Sequence, residues 1–193
     1  MPALVAGIHA FLENSDKGVD GRDKPGHDKW SRGVSLTIRP AAPGDSALIF
    51  ALVRELADYE KLAHEVAATE QAIAAVLFAA EPRVFCDIAE WNGKPAGFTT
   101  WFLNFSSFRG RHGIFLEDIF VRPQFRKHGI GRALLKRLAA RCVEGGYARF
   151  EWAVLDWNAP AIAFYRSLGA DVMDDWRVCR LSGQALATLA REI

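Results

Sequence analysis

The stretch LEDIFVRPQFRKHGIGRALL, Leu116 to Leu135, changes character midway and in doing so decides the architecture. Its first part, closing at Val121, reads as a buried strand. Pro123 ends that strand, because proline cannot donate to a sheet ladder. A short basic loop follows, with Arg122, Arg126, Lys127 and His128, and then Gly129-Ile130-Gly131 opens a helix. Leu134, Leu135, Leu138 and Ala139 recur at the spacing of one helical face. A strand feeding a glycine-bearing loop and then a helix suits an anion: small residues let backbone N–H groups approach it, and the helix N-terminus adds favourable charge. The loop is neither a Walker A sequence, since no Gly-Lys-Ser/Thr is present, nor GxGxxG. By itself, Gly-x-Gly with neighbouring arginines also fits a solvated turn.

The flanking sequence places this unit in a larger alternation. Before it, Val34 to Arg39 alternates as a strand. Pro43-Gly44-Asp45 opens a helix with Asp45 as N-cap, and Leu48, Ile49, Leu52, Val53 and Leu56 form its inner face. Thr69 starts a second helix. Arg83–Glu90 and Pro95–Phe105 read as strands joined at Asn92-Gly93, a strong hairpin signal, and Gly113–Val121 as the next strand. After it come a helix over Ile130–Val143 stopped at Gly145-Gly146, a strand over Tyr147–Leu155, and a helix from Asn158-Ala159-Pro160 that ends at Gly169. Short strands near Ala170–Met173 and Trp176–Leu181 and a final amphipathic segment over Gln184–Ile193 complete the expectation. The pattern is α/β: a mixed sheet with helices on both faces.

Composition narrows the function. The chain has 193 residues, enough for one domain with a proper core. Lys and Arg number 24 against 23 Asp and Glu, a net charge of +1. A nucleic-acid partner is therefore not expected, since generic binders carry a large basic excess. Nor is a membrane, because no apolar run reaches the roughly 20 residues that span a bilayer. Cys86, Cys142 and Cys179 are odd in number and far apart, as reduced thiols of a cytoplasmic protein would be, and neither they nor His64, His112 and His128 have metal-ligand spacing. No metal is expected. Residues 1–33 differ from the rest: a brief apolar start, with no Lys or Arg before Lys17 to make a secretory signal, and then a Gly/Asp/Lys mixture unable to form a core. They read as a disordered extension or a mis-assigned start, with translation beginning near Val34, and residues 34–193 read as a single domain.

Arg126-Lys127-His128-Gly129-Ile130-Gly131 fits the Arg/Gln-x-x-Gly-x-Gly/Ala signature of the GNAT superfamily of N-acetyltransferases, which the chain resembles. A second element matches downstream: Asn158-Ala159-Pro160-Ala161-Ile162-Ala163-Phe164-Tyr165 followed by Leu168-Gly169-Ala170. Together the two are far more specific than either alone. From Ile38 to about Ala190 the segments ELADYE, LEDIFV, RKHGIG, DWNAPAIAFY and DDWRVCRL look like the diamine acetyltransferases, which act on spermidine, spermine and thialysine. The resemblance implies the GNAT fold, a twisted mixed sheet whose central parallel strands, here Gly113–Val121 and Tyr147–Leu155, splay to admit pantetheine.

What the resemblance implies for individual residues follows position by position. Acetyl-CoA is the co-substrate. Ile119, Phe120 and Val121 would line the acetyl and pantetheine arm. Arg126, Lys127, His128, Gly129, Ile130, Gly131 and Arg132 would hold the pyrophosphate, and Asn158, Ala159, Pro160 and Ala161 would contact the pantetheine or adenine side. Tyr165 would stabilise the departing thiolate. Glu117 would collect the amine proton, directly or through water, with Asp118 a structural carboxylate. Tyr59, Glu60, Glu117, Glu151, Trp152 and Ala153 would shape the acceptor pocket. Three carboxylates in one cleft suit a polycation. Arg109 and Arg111 instead suit a substrate that carries its own carboxylate, such as thialysine. A homodimer is implied. The alternatives are another small amine or amino acid as acceptor, or a domain that binds acetyl-CoA without catalysis.

Overall fold

The computed structural model describes residues 35–192, so the expectations for residues 1–33 lie outside the described residues. Five strands form one sheet in the order β1-β2-β3-β4-β5. They are β1 Leu36–Pro40, β2 Val84–Trp91, β3 Lys94–Ser106, β4 Arg111–Val121 and β5 Phe150–Trp152. β1, β2, β3 and β4 pair antiparallel in that order, and β5 runs parallel to β4. The β2–β3 turn is Asn92-Gly93, both residues at positive φ (51° and 72°), as a two-residue hairpin requires.

Helices α1 (Ser46–Tyr59) and α2 (Glu70–Leu77) cover one face, where Ile49, Leu52 and Leu56 meet Cys86, Ile88, Phe98 and Phe120. Helices α3 (Ile130–Glu144) and α4 (Ala159–Ser167) cover the other, where Leu134, Leu135, Leu138 and Tyr165 pack on Ile114, Leu116, Ile119 and Val121. The α/β reading with helices on both faces holds. Thr69 caps α2, accepting from the Ala72 N–H at 3.1 Å. Asp45 occupies the N-cap of α1, but its carboxylate turns to Arg39 (2.7 and 2.9 Å) and to the Ala42 amide (2.8 Å). Those bonds, Arg39 foremost, hold the Asp45 carboxyl below its ordinary range.

The structure corrects the sequence reading in three places. The strand expected over Tyr147–Leu155 shrinks to β5, three residues long. The strands expected near Ala170–Met173 and Trp176–Leu181 do not form, and Met173, Trp176 and Val178 stay largely exposed. A three-residue edge offers almost nothing for a further strand to pair with, so alternation alone does not fix them as strands. The final amphipathic segment is a helix only over Gly183–Leu189, α5.

Candidate active site

The site forms where two neighbouring strands part. β4 and β5 pair only at Ile114↔Phe150, Phe115↔Glu151 and Leu116↔Trp152. Beyond Leu116, β4 continues to Val121 with β3 on one side and no ladder to β5 on the other. The splay implied by the family resemblance is present, and it begins at a β-bulge. Thr100 pairs with Asp118 and Trp101 with Leu116, so Glu117 is the extra residue of β4. A bulge bends its strand and re-aims a side chain. Here it also breaks the alternation: Leu116 and Ile119 lie in the same core cluster although three positions apart.

Glu117 is therefore presented at the head of the gap. Burial pushes its carboxyl above the ordinary range, and the Arg180 guanidinium, brought in by the C-terminal segment, opposes that shift. Asp118 accepts a 2.5 Å hydrogen bond from the Thr100 hydroxyl. Burial pushes the Asp118 carboxyl up to about 6; the Thr100 bond works against this, and the charge of Glu117 adds to it. The roles of Thr100 and Arg180 carry no sequence signal, since one depends on cross-strand register and the other on a distant segment folding back.

At the far end of the gap the chain leaves β4 through a short turn. Arg122 anchors it, donating to Glu55 of α1 at 2.7 and 2.8 Å and to the Pro95 carbonyl at 2.9 Å. The chain then reverses at Lys127 (φ 64°) and Gly129 (φ 74°) before entering α3. Gly129 supplies no side-chain cap, so the N–H groups of Ile130, Gly131 and Arg132 lack helical partners and are available to an anion. Lys127, His128 and Arg132 are exposed around them. Arg126 differs: its side chain turns inward, with Nε donating to the Val121 carbonyl at 3.1 Å and the guanidinium 4.8 Å from the centre of the Tyr59 ring.

Tyr165, on α4, is 1% exposed, and its hydroxyl is buried with no hydrogen-bond partner among the described residues. Its ring meets Trp152 edge-on at 5.1 Å, where β5 ends and the gap opens. Burial, with Tyr59 adding to it, drives the phenol well above its ordinary pKa. An unsatisfied buried hydroxyl destabilises the free protein.

The remaining expected residues divide. Ile119, Phe120 and Val121 bury their side chains in the two cores, so only their backbone can face the gap. Ala159 and Pro160 are exposed at the start of α4, whereas Ala161 is wholly buried and the Asn158 side chain caps the helix, accepting from the Ala161 N–H at 3.2 Å. Tyr59 and Glu60 end α1, with Glu60 6% exposed. Glu151 is committed to Arg149 (2.8 Å) and to the Asn104 side-chain amide (2.7 Å). Trp152 packs in the core, with Ala153 half-buried beside it. Among the described residues no cluster of His, Cys, Asp and Glu could hold a metal, and no helix is long and apolar enough to cross a membrane.

Comparison with known proteins agrees with this architecture. Residues 49–170 match the model of the acetyltransferase (GNAT) family. The chain is 32% identical to the L-ornithine N5-acetyltransferase of Arabidopsis thaliana, with 85% of this chain and 90% of that one aligned. It is 36% identical to the thialysine N-epsilon-acetyltransferase of Sus scrofa, over 81% of this chain and 98% of that one. Among solved structures, an integron cassette protein from V. cholerae superposes with a TM-score of 0.69 at 28% identity, covering 82% of this chain and 99% of that one. A strand split at a bulge, a glycine-turned loop at a helix start and a matching family model over residues 49–170 converge on one conclusion: this chain belongs to the GNAT family of acetyltransferases.

Proposed function

We propose that this protein moves an acetyl group from acetyl-CoA to a primary amine of a small molecule, by direct attack in a ternary complex. The observation that carries the reading is the coincidence at the β4–β5 split of the unpaired bulge residue Glu117 and, beside Trp152, the partnerless Tyr165 hydroxyl. The residues fit acetyl-CoA: the open edge of β4 from Glu117 to Val121 offers backbone groups to an extended amide-bearing arm, and the uncapped start of α3 offers N–H groups to a pyrophosphate.

The acceptor nitrogen attacks the thioester carbonyl carbon. The C–N bond forms, the C–S bond breaks, and the amine loses a proton. An amine of pKa near 10.4 is almost entirely protonated at neutral pH, so a base must help. Glu117 fills that role, directly or through water. The leaving thiolate has a reference pKa of about 8.5, lower than that of any ordinary phenol. With Tyr165 pushed higher still, full proton transfer to sulfur early in the reaction is uphill. The Tyr165 hydroxyl instead donates a hydrogen bond as negative charge grows on the sulfur.

For the acceptor we favour an amine that also carries a carboxylate, of thialysine or ornithine type, over a polyamine. Glu151, one of the three carboxylates a polycation would use, is already tied to Arg149 and Asn104, and the cationic Arg180 stands near Glu117. Relatives named for thialysine and ornithine acetylation support the same choice. Three unpaired cysteines support a cytoplasmic setting. The exposed Met173, Trp176 and Val178, on a segment that alternates like a strand yet joins no ladder, support a homodimer. The single domain is taken to run from residue 34 to the end of the chain. A thiol-release assay with acetyl-CoA across putrescine, spermidine, spermine, thialysine, ornithine, lysine and a neutral amine tests the reading. Turnover with thialysine or ornithine above the polyamines is expected; no thiol release with any amine would overturn it.

A further inference from the structure

Arg126 opens the phosphate loop, yet its side chain leaves the loop. The left-handed backbone at Lys127 (φ 64°) separates an inward Arg126 from the exposed Lys127 and His128. A lysine in that conformation is strained, so the surrounding structure must enforce it. The guanidinium donates through Nε to Val121, the last residue of β4, and lies 4.8 Å from the centre of the Tyr59 ring at the end of α1. Its Nη2 is buried with no partner among the described residues, and no carboxylate among them pairs with it. Burial lowers its pKa, and Tyr59 opposes the change. Tyr59 in turn lies near enough to Tyr165 to bear on its hydroxyl. One side chain thus touches the end of the split strand and the acceptor helix while rooted in the loop that would carry the phosphates.

We propose that Arg126 is a positioning residue that couples the phosphate loop to the acceptor pocket: by holding the Tyr59 ring at the end of α1, it makes loop occupancy set the wall against which the amine binds. The inference rests on the acetyl-CoA reading above and adds a connection to it. The guanidinium joins the loop backbone to Val121 and to the Tyr59 ring, and a cation over a ring is worth about a tenfold change in an equilibrium when partly desolvated.

The test uses Arg126→Gln, Tyr59→Leu and their combination, assayed at saturating acetyl-CoA. Each single variant is expected to raise the KM for the amine about tenfold, and the double variant to be no worse than either. Multiplying effects, or an Arg126→Gln defect confined to acetyl-CoA affinity, would overturn the proposal. A second measurement needs no turnover. With 3-fluorotyrosine at position 59, CoA should shift the fluorine resonance of the otherwise native protein and leave it unmoved in Arg126→Gln. An equal shift in the variant, or none in the native protein, would also overturn it. Arg126→Met, which fills the same space without charge, carries the same expectations should Arg126→Gln not fold. Absence of acetyl transfer to every amine would remove the proposed function, while the fluorine result would still decide the coupling.

Discussion

Thr100 and Asp118 face each other across β3 and β4, joined by a 2.5 Å hydrogen bond, and that pair leaves Glu117 opposite no residue at all. Burial raises the Asp118 carboxyl to about 6, above the ordinary value of 3.8. A raised carboxyl favours the native state below the unfolded pKa, and that contribution is lost as pH rises through the folded pKa. Asp118 should therefore lend stability below about pH 4 and lose it by about pH 6. Asp118→Asn keeps an oxygen for the Thr100 hydroxyl and removes the charge. Thermal unfolding should show it about 1–2 kcal/mol more stable than the native protein well above pH 6, a figure held down by the partial exposure of the site, and without a gain below pH 4. A loss of stability at high pH would contradict the assignment.

Tyr165→Phe should separate stability from activity. The hydroxyl it removes is buried without a partner, so the free protein should become about 1 kcal/mol more stable. Acetyl transfer should nevertheless fall about 100–1000-fold in kcat, with acetyl-CoA affinity little changed. Chemical denaturation and single-turnover transfer on the same preparation check both halves. A near-native transfer rate would make Tyr165 a packing residue.

Glu117→Gln should depend on pH in a way Tyr165→Phe does not. The amide keeps the shape of Glu117 but cannot take a proton, so its transfer defect should shrink as rising pH supplies neutral amine. In the native enzyme the acid limb of activity should lie above the ordinary carboxylate range, because burial raises Glu117. Pre-steady-state rates over a pH series test this; a defect constant with pH would remove the base role.

Two glycines should fail differently. A side chain at Gly129 meets no atom within 4 Å, but its φ is 74°, so Gly129→Ala should destabilise by about 1–2 kcal/mol through the backbone alone and weaken acetyl-CoA binding as the loop relaxes. At Gly97 a Cβ would run into the Phe120 carbonyl oxygen, with the Val121 Cα 3.2 Å away. Gly97→Ala should push β3 from β4 and lose more stability than Gly129→Ala. Calorimetry with CoA, together with denaturation, distinguishes the two.

Asp87 is 1% exposed between Arg137, Arg141 and the Trp101 indole, which donates at 3.2 Å. Asp87→Ala leaves two arginines facing no anion. A loss of about 2–4 kcal/mol is expected, below the value for a fully buried pair because both arginines keep some water. Denaturant titration gives the number, and a change under 1 kcal/mol would show the network to be dispensable.

The sequence alone determined what local chemistry controls. Asn92-Gly93 must turn a hairpin, Thr69 and Asn158 must cap helices, and the run from Leu116 to Leu135 must pass from strand through a glycine turn into helix, because φ preferences and side-chain periodicity act over a few residues. Tyr165 was legible through the family resemblance of Asn158 to Tyr165, not through periodicity. Tertiary structure decided where β4 and β5 part, which residue the bulge expels, that Arg126 turns inward under Tyr59, and that Glu151 closes on Arg149 and Asn104. It also left Ala170–Met173 and Trp176–Leu181, read as strands from the sequence, outside the sheet. Each of these depends on register and on partners far away in the chain. Alternation tells a residue which face it takes, but only the neighbouring strand tells it where the ladder ends.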